Sequence, residues 1–216
     1  MNVNDIKSEE VPQDIWKAIF EKQLQLAHKY TDIEEMGDLL ETTDSNVDTQ
    51  KGQIWIKDFS WRVTEELTEA DEALKEMNKI VHVTEEDEQK EVELLQHYQE
   101  ELIDGLHFLT ELSIIAGFDE MLVYTSSKFN EVFVDFPAES YDVIYHLGLM
   151  CNCLKNKKWK QSQMLTDRPK FINYLMMVWA SMISLLESAG LDSNEKIYDI
   201  YTRKNGVNNF RIRSKY

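Results

Sequence analysis

Glu66 and Glu69 stand three residues apart, and Glu101 and Asp104 repeat that offset further along the chain. On a helix such a pair leaves one face about a turn apart, and Glu72 extends the first row. Two such helices packed antiparallel would turn four carboxylates toward one another. From spacing alone a solvated acidic face is an equal reading, because the chain holds 40 Asp+Glu. The neighbours weigh against it: Glu66 lies one turn from Val63 and Ala70, Glu101 one turn from Tyr98, and Asp104 one turn from Phe108. Acids that border a core cost on the order of several kcal/mol per unpaired charge unless a cation neutralises them. Oxygen-only ligands favour hard ions, so Mg²⁺ or Mn²⁺ is the natural guest.

A second cluster lies near the far end, where Tyr201, Lys204, Asn205, Asn208 and Arg211 recur at helical offsets. Lys as a point charge and Arg with its forked donors can clamp a polyphosphate, and Asn amides can fix a sugar or phosphate oxygen. Taken alone, the alternative is a basic tail with no ligand. An acidic cluster together with an isolated cationic one is what metal-bridged phosphate chemistry needs.

Other polar residues carry less. His107, three after Asp104, is either a partner behind the acids or a histidine satisfied within the bundle, and the second reading is favoured. His28 and His97 have no identifiable partner. Lys155, Lys157, Lys158 and Lys160 read as a solvated loop, with steering of an anion as the alternative. Asp44, Asn46 and Asp48 imitate the start of a calcium loop, but Thr49 and Trp55 stand where Gly and Glu are required. Cys151 and Cys153 lack the spaced partners of a zinc site and read as thiols in a reducing compartment.

The elements that must position these residues are helices. The segment Pro12 to Tyr30 is amphipathic through Ile15, Ile19, Leu24 and Leu26. Thr31 to Gly52 turns polar and reads as a loop. From Ser60, a plausible cap, Val63, Leu67, Ala70, Leu74 and Met77 form a helical stripe. Thr84 with Asp87 resembles a capping box that opens a long helix ending at Gly117. Between Phe118 and Pro169 the pattern loosens around Pro137 and Gly148, as expected for shorter helices and mobile connections. Phe171 to Ala189 restores a strong apolar stripe, either core or dimer interface. Gly190 stops it, and Asp192 or Ser193 caps a last helix reaching roughly Asn205.

A chain of 216 residues suits one domain, here residues 1–216 of an all-α bundle with four core helices and a mobile insertion at about 118–168. With 43% hydrophobic residues it folds, and with only 7 Gly and 3 Pro it lacks the punctuation of many-stranded folds. A net charge of −17 repels phosphate backbones and anionic lipid, which argues against direct nucleic-acid or membrane binding. No charged-then-apolar leader opens the chain, and the most apolar run, Tyr174 to Leu186, is too short to span a bilayer, so a cytoplasmic protein is expected.

The ordered set of motifs resembles the all-α dimeric dUTPases among the MazG-like nucleotide pyrophosphatases, including the bacteriophage dCTPase/dUTPase branch. The matching pieces are Leu24-Gln25, Ser60-Trp61-Arg62, Glu66-x-x-Glu69, Glu101-x-x-Asp104 with His107-Phe108, and Lys204-Asn205-x-x-Asn208-x-x-Arg211. The spacing leaves open whether Glu65 or Glu66 takes the first acidic position, and Arg211 is followed by Ile212 where the family continues with Gln. The resemblance implies a homodimer that hydrolyses dUTP to dUMP and pyrophosphate with two or three Mg²⁺ ions, Mn²⁺ being a substitute. It assigns Glu66, Glu69, Glu101 and Asp104 to the metal, with Glu66 also accepting the proton of the attacking water. Gln25 would face the base, Trp61 would stack near it or serve as a core residue, and Lys204, Asn205, Asn208 and Arg211 would hold phosphate and sugar. The competing functions are the same chemistry on dCTP or a modified deoxynucleotide, and a non-catalytic acidic helical protein that binds a partner.

Overall fold

Thr49 and Thr84 begin the two longest helices, and both do so by accepting a backbone N–H with the side-chain hydroxyl, the first from Gly52 and the second from Asp87. Asp87 returns the bond to the Thr84 N–H, which completes a capping box. The computed structural model describes residue 3 and residues 6–81, 84–133, 138–156 and 165–214. Among these the helices are α1 (Ile15–Tyr30), α2 (Thr43–Asn46), α3 (Gln50–Met77), α4 (Glu85–Ile115), α5 (Met121–Phe133), α6 (Ser140–Cys153), α7 (Arg168–Ser188) and α8 (Asn194–Ser214). No strand is present among the described residues, and the architecture is an all-α helical bundle.

α4 is the axis. It pairs with α3 along most of its length as an antiparallel hairpin and also touches α1, α7 and α8. Val63, Leu67 and Ala70 of α3 and Leu102, Leu106 and Leu109 of α4 are all fully buried, the product of their helical spacing. Behind this pair Trp179 of α7 is fully buried, packs edge-on against Trp16 at 6.0 Å, and donates its ring N–H to Ser113 at 2.9 Å. α5 and α6 both lie on α7. Gly117 and Gly190, at φ 88° and 83°, take the left-handed conformation that ends α4 and α7.

Three expectations change. α3 starts at Gln50, ahead of Ser60, whose hydroxyl donates back to Ile56 O at 2.7 Å inside the helix and caps nothing. The segment Thr31 to Gly52 holds the short helix α2 and the buried side chains of Met36, Leu39 and Val47; the Asn46 amide ties it down by donating to Leu39 O and Ile115 O. α8 runs to Ser214, well past Asn205, so Lys204 to Arg211 share one helix. α7, at 21 residues and a mean hydropathy of 1.3, is long and apolar enough to cross a membrane, but 61% of that stretch is buried within the bundle, as in a core helix. Pro137, Lys157, Lys158 and Lys160 lie outside the described residues.

Candidate active site

The antiparallel pairing of α3 with α4 places Glu66 against Glu101 and brings one carboxylate oxygen each of Glu66, Glu69 and Glu101 within 4.8 Å of one another. Glu69 is exposed, Glu66 half-buried and Glu101 buried, so the trio reaches solvent at one side. Burial, then a hydrogen bond to Glu101, then the charges of Asp104, Glu101 and Glu69 push the Glu66 carboxyl up to about 8. His97 Nδ1 lies 3.2 Å from Glu101 Oε1. Glu65 and Glu72 are exposed and fall outside the trio, whereas Glu66 lies within it.

Asp104 stands apart from the three. Its Oδ2 is 2.5 Å from Lys204 Nζ of α8, and Glu100 is 3.8 Å from the same amine. Burial raises the Asp104 carboxyl to about 6, with Lys204 working in the opposite direction. Lys204, Asn208 and Arg211 follow one another at offsets of four and three, which is one face of a helix. Asn208 and Arg211 open with Glu66 and Asp104 onto a cavity of about 220 Å³. Glu66 and Asp104 thus share this space with Asn208 and Arg211 of α8, and the donor set of the three clustered carboxylates beside it fits a hard divalent ion.

The back of the cavity is a polar chain. Gln23 of α1, buried, donates through Nε2 to Glu111 at 2.7 Å, while its oxygen lies 2.8 Å from the Tyr201 hydroxyl and 2.8 Å from His107 Nδ1. His107 stacks on Tyr201 with ring centroids 3.9 Å apart. Burial, then the Lys204 charge, drives the imidazole down to about 3, so the ring is neutral at physiological pH. Its Nε2 is buried at the cavity and has no hydrogen-bond partner. Arg62 forms a two-pronged pair with Glu34 at 2.9 Å per contact and lies over the rings of Phe59 and Phe108, 4.6 and 5.7 Å from their centroids. Phe108 lines the cavity beside His107.

Two assigned residues are elsewhere. Gln25, exposed, and Asn205 open onto a different cavity with Lys22, Lys29 and Arg213. The reason is helical phase: two residues turn a helix by about 200°, so Gln23 and Gln25 face opposite ways. Likewise Asn205 follows the Asn209 and Arg213 row, its oxygen accepting from Asn209 Nδ2 at 2.9 Å. Trp61 is 62% exposed, so it neither packs in the core nor lines the cavity. The residues that spacing overlooked, Gln23 and Glu111, carried a signal: each is a polar residue on an otherwise apolar face, Gln23 between Ile19 and Leu26, Glu111 within His107-Phe-Leu-Thr-Glu-Leu-Ser-Ile-Ile.

A bundle in which acids from one helical hairpin and an arginine from the last helix share a small cavity has the layout of a nucleotide pyrophosphatase hydrolase, a class that takes a nucleotide as substrate. Within that class the chain belongs to the dUTPase family, whose model matches residues 15–216. No curated protein and no solved structure matches the chain.

Proposed function

We propose that this chain hydrolyses dUTP to dUMP and pyrophosphate with Mg²⁺. The observation that carries the reading is the trio Glu66, Glu69 and Glu101, with oxygens within 4.8 Å, beside a cavity that Glu66 and Asp104 share with Arg211. These three, joined by Asp104 once Lys204 releases it, would hold the ions; when bound, such ions neutralise a triphosphate and sharpen the acidity of a water. Glu66 accepts the proton of the attacking water, since it belongs to the carboxylate trio and also lines the cavity. Arg211 and Lys204 offset charge that builds on the phosphate oxygens, and Asn208, within 3.4 Å of Arg211 Nη1, orients that guanidinium.

The base fits the deep end. Phe108 supplies an aromatic face, and the bare Nε2 of His107 asks for a donor, which uracil provides at N3–H. dCTP is the second reading, because the same amide and imidazole can present the reverse polarity. A homodimer accompanies this reading: Tyr141 and Tyr145 of α6, 68% and 50% exposed, and Ile172 of α7 offer an apolar face for a second copy. So do a cytoplasmic setting and closure of the region around α5 and α6 over bound nucleotide.

Pyrophosphate release from each deoxynucleoside triphosphate, with Mg²⁺ and with EDTA, tests the proposal. Release from dUTP that depends on Mg²⁺ and exceeds that from dCTP is expected. Release from neither pyrimidine nucleotide would overturn it.

A further inference from the structure

The polar chain behind the cavity has two self-consistent directions. Tyr201 has one hydroxyl hydrogen but two acceptors in reach, Gln23 Oε1 at 2.8 Å and Ile19 O at 3.3 Å. A half-turn of the Gln23 carboxamide exchanges its oxygen and nitrogen with almost no change in shape. In one direction, ionised Glu111 accepts from Gln23 Nε2, the Gln23 oxygen accepts from Tyr201 and from His107 Nδ1–H, and His107 Nε2 is a bare acceptor. In the other, the Glu111 carboxyl donates its proton to the Gln23 oxygen, and the Gln23 amide donates to the Tyr201 oxygen and to His107 Nδ1. Tyr201 then donates to Ile19 O, and His107 carries its hydrogen on Nε2. The second state holds one more proton, on Glu111, and the imidazole hydrogen has changed nitrogen. The ring is neutral in both.

We propose that Glu111, Gln23 and His107, braced by Tyr201, form a reversible relay whose direction selects the base: an acceptor at His107 Nε2 requires N3–H, as in uracil, and a donor there requires a bare N3, as in cytosine. The inference rests on the reading above that this cavity holds the base. Glu111 and Gln23 are positioning residues, since each acts only through His107. Both directions are within reach of neutral pH: burial lifts the Glu111 carboxyl to about 8, with the Gln23 bond and Arg62 opposing and Glu34 adding to the rise. The charged and titratable groups that face it are Glu34 from the segment before α2, Arg62 from α3, Tyr30 from α1, and Tyr201 and Arg211 from α8. Arg62 and Glu34 are locked to each other, which leaves Glu111 as the member of the group whose proton the relay can use.

The test is the ratio of kcat/KM for dUTP to that for dCTP between pH 6 and 8.5 at saturating Mg²⁺, because the ratio cancels every pH effect on metal and phosphates that the two substrates share. It should rise about tenfold or more with pH, the cost of meeting N3 with the wrong partner. Glu111→Gln and Glu111→Leu should each flatten it. In the ligand-free protein, ¹⁵N spectra of the His107 ring should move the hydrogen from Nε2 to Nδ1 over the same range, and Gln23→Met should abolish that dependence. A flat ratio in the unaltered protein, or a slope that survives Glu111→Gln, overturns the relay. If neither nucleotide is turned over, the proposed function falls and the spectra alone decide: one tautomer throughout the range overturns the relay, and the expected exchange supports it.

Discussion

α4 carries two buried polar clusters less than three turns apart, and they differ in kind. At Glu101 and Asp104 carboxylates gather, and burial, with the charge of the neighbouring acids adding to it, raises Glu66 and Asp104. At Glu111, the carboxylate, the carboxamide and the imidazole are bonded to one another at 2.7 to 2.8 Å, and the one buried side-chain atom there without a partner is His107 Nε2. The first cluster is frustrated and open; the second is satisfied and closed save for a single atom. Frustration marks where charge must be brought in, and satisfaction marks a wall whose shape is set before anything binds and whose polarity only the relay can reverse.

The strongest way to break this contrast is at the trio. Glu69→Ala or Glu101→Ala should lower turnover on dUTP by about a thousandfold or more, since each removes a ligand from the cluster, while leaving the Gln23 chain untouched. Near-normal turnover in both variants would mean that the carboxylates are surface charge. Next, Arg211→Ala should lower kcat/KM by about 2 kcal/mol, equally for dUTP and dCTP, because its contacts are to phosphate. A change in base preference would move Arg211 to the other cluster.

A thermal scan against pH, run with and without Mg²⁺, separates the clusters, because Glu66 and Glu111 both lose stability over the same range and only the first should recover it with the metal. Glu66 has a folded pKa near 8 against an ordinary 4.5, so between those values the folded state binds a proton that the unfolded state does not. Stability in EDTA should therefore fall as pH rises from about 4.5 to 8, by several degrees in Tm. Mg²⁺ should restore it, increasingly so at higher pH. A Tm that is indifferent to both would remove the frustration on which the comparison stands. The smallest effect belongs to Gln25→Ala, expected within about 0.5 kcal/mol for either substrate, as for an exposed residue away from the cavity. A shift in the dUTP to dCTP ratio from that variant would return the base to the face of α1 that bears Gln25.

Much of this was legible in the residues themselves. The Thr84 and Asp87 box, the stripe from Val63 and the acids beside it need only local rules, and the structure follows them. What escaped depended on partners distant in sequence. Gly52 read as a turn, yet it sits in the first turn of α3, where a Cβ would fall 2.3 Å from Asn46 O; the glycine answers close approach and not reversal. The residue pattern predicts a last helix reaching roughly Asn205, whereas it packs on α1 and α4 and runs to Ser214. Gln25 and Asn205 were matched by motif, but phase put both on the far side of their helices, and only the burial of Gln23 in three dimensions shows which face matters.

The two clusters also differ in how far apart their parts lie along the chain. Glu66, Glu69 and Glu101 belong to one helical hairpin whose arms are joined by the residues between Met77 and Glu85. The bonds that build the other wall join Gln23 to Tyr201 across 178 positions and to His107 across 84. Closing a long loop costs more chain entropy than closing a short one, and it is repaid only when both ends arrive. The carboxylate wall can therefore form early, from local contacts, while the wall that would read the base waits until the first and last helices meet. Removing residues from either terminus would spare the acids and dissolve the selectivity.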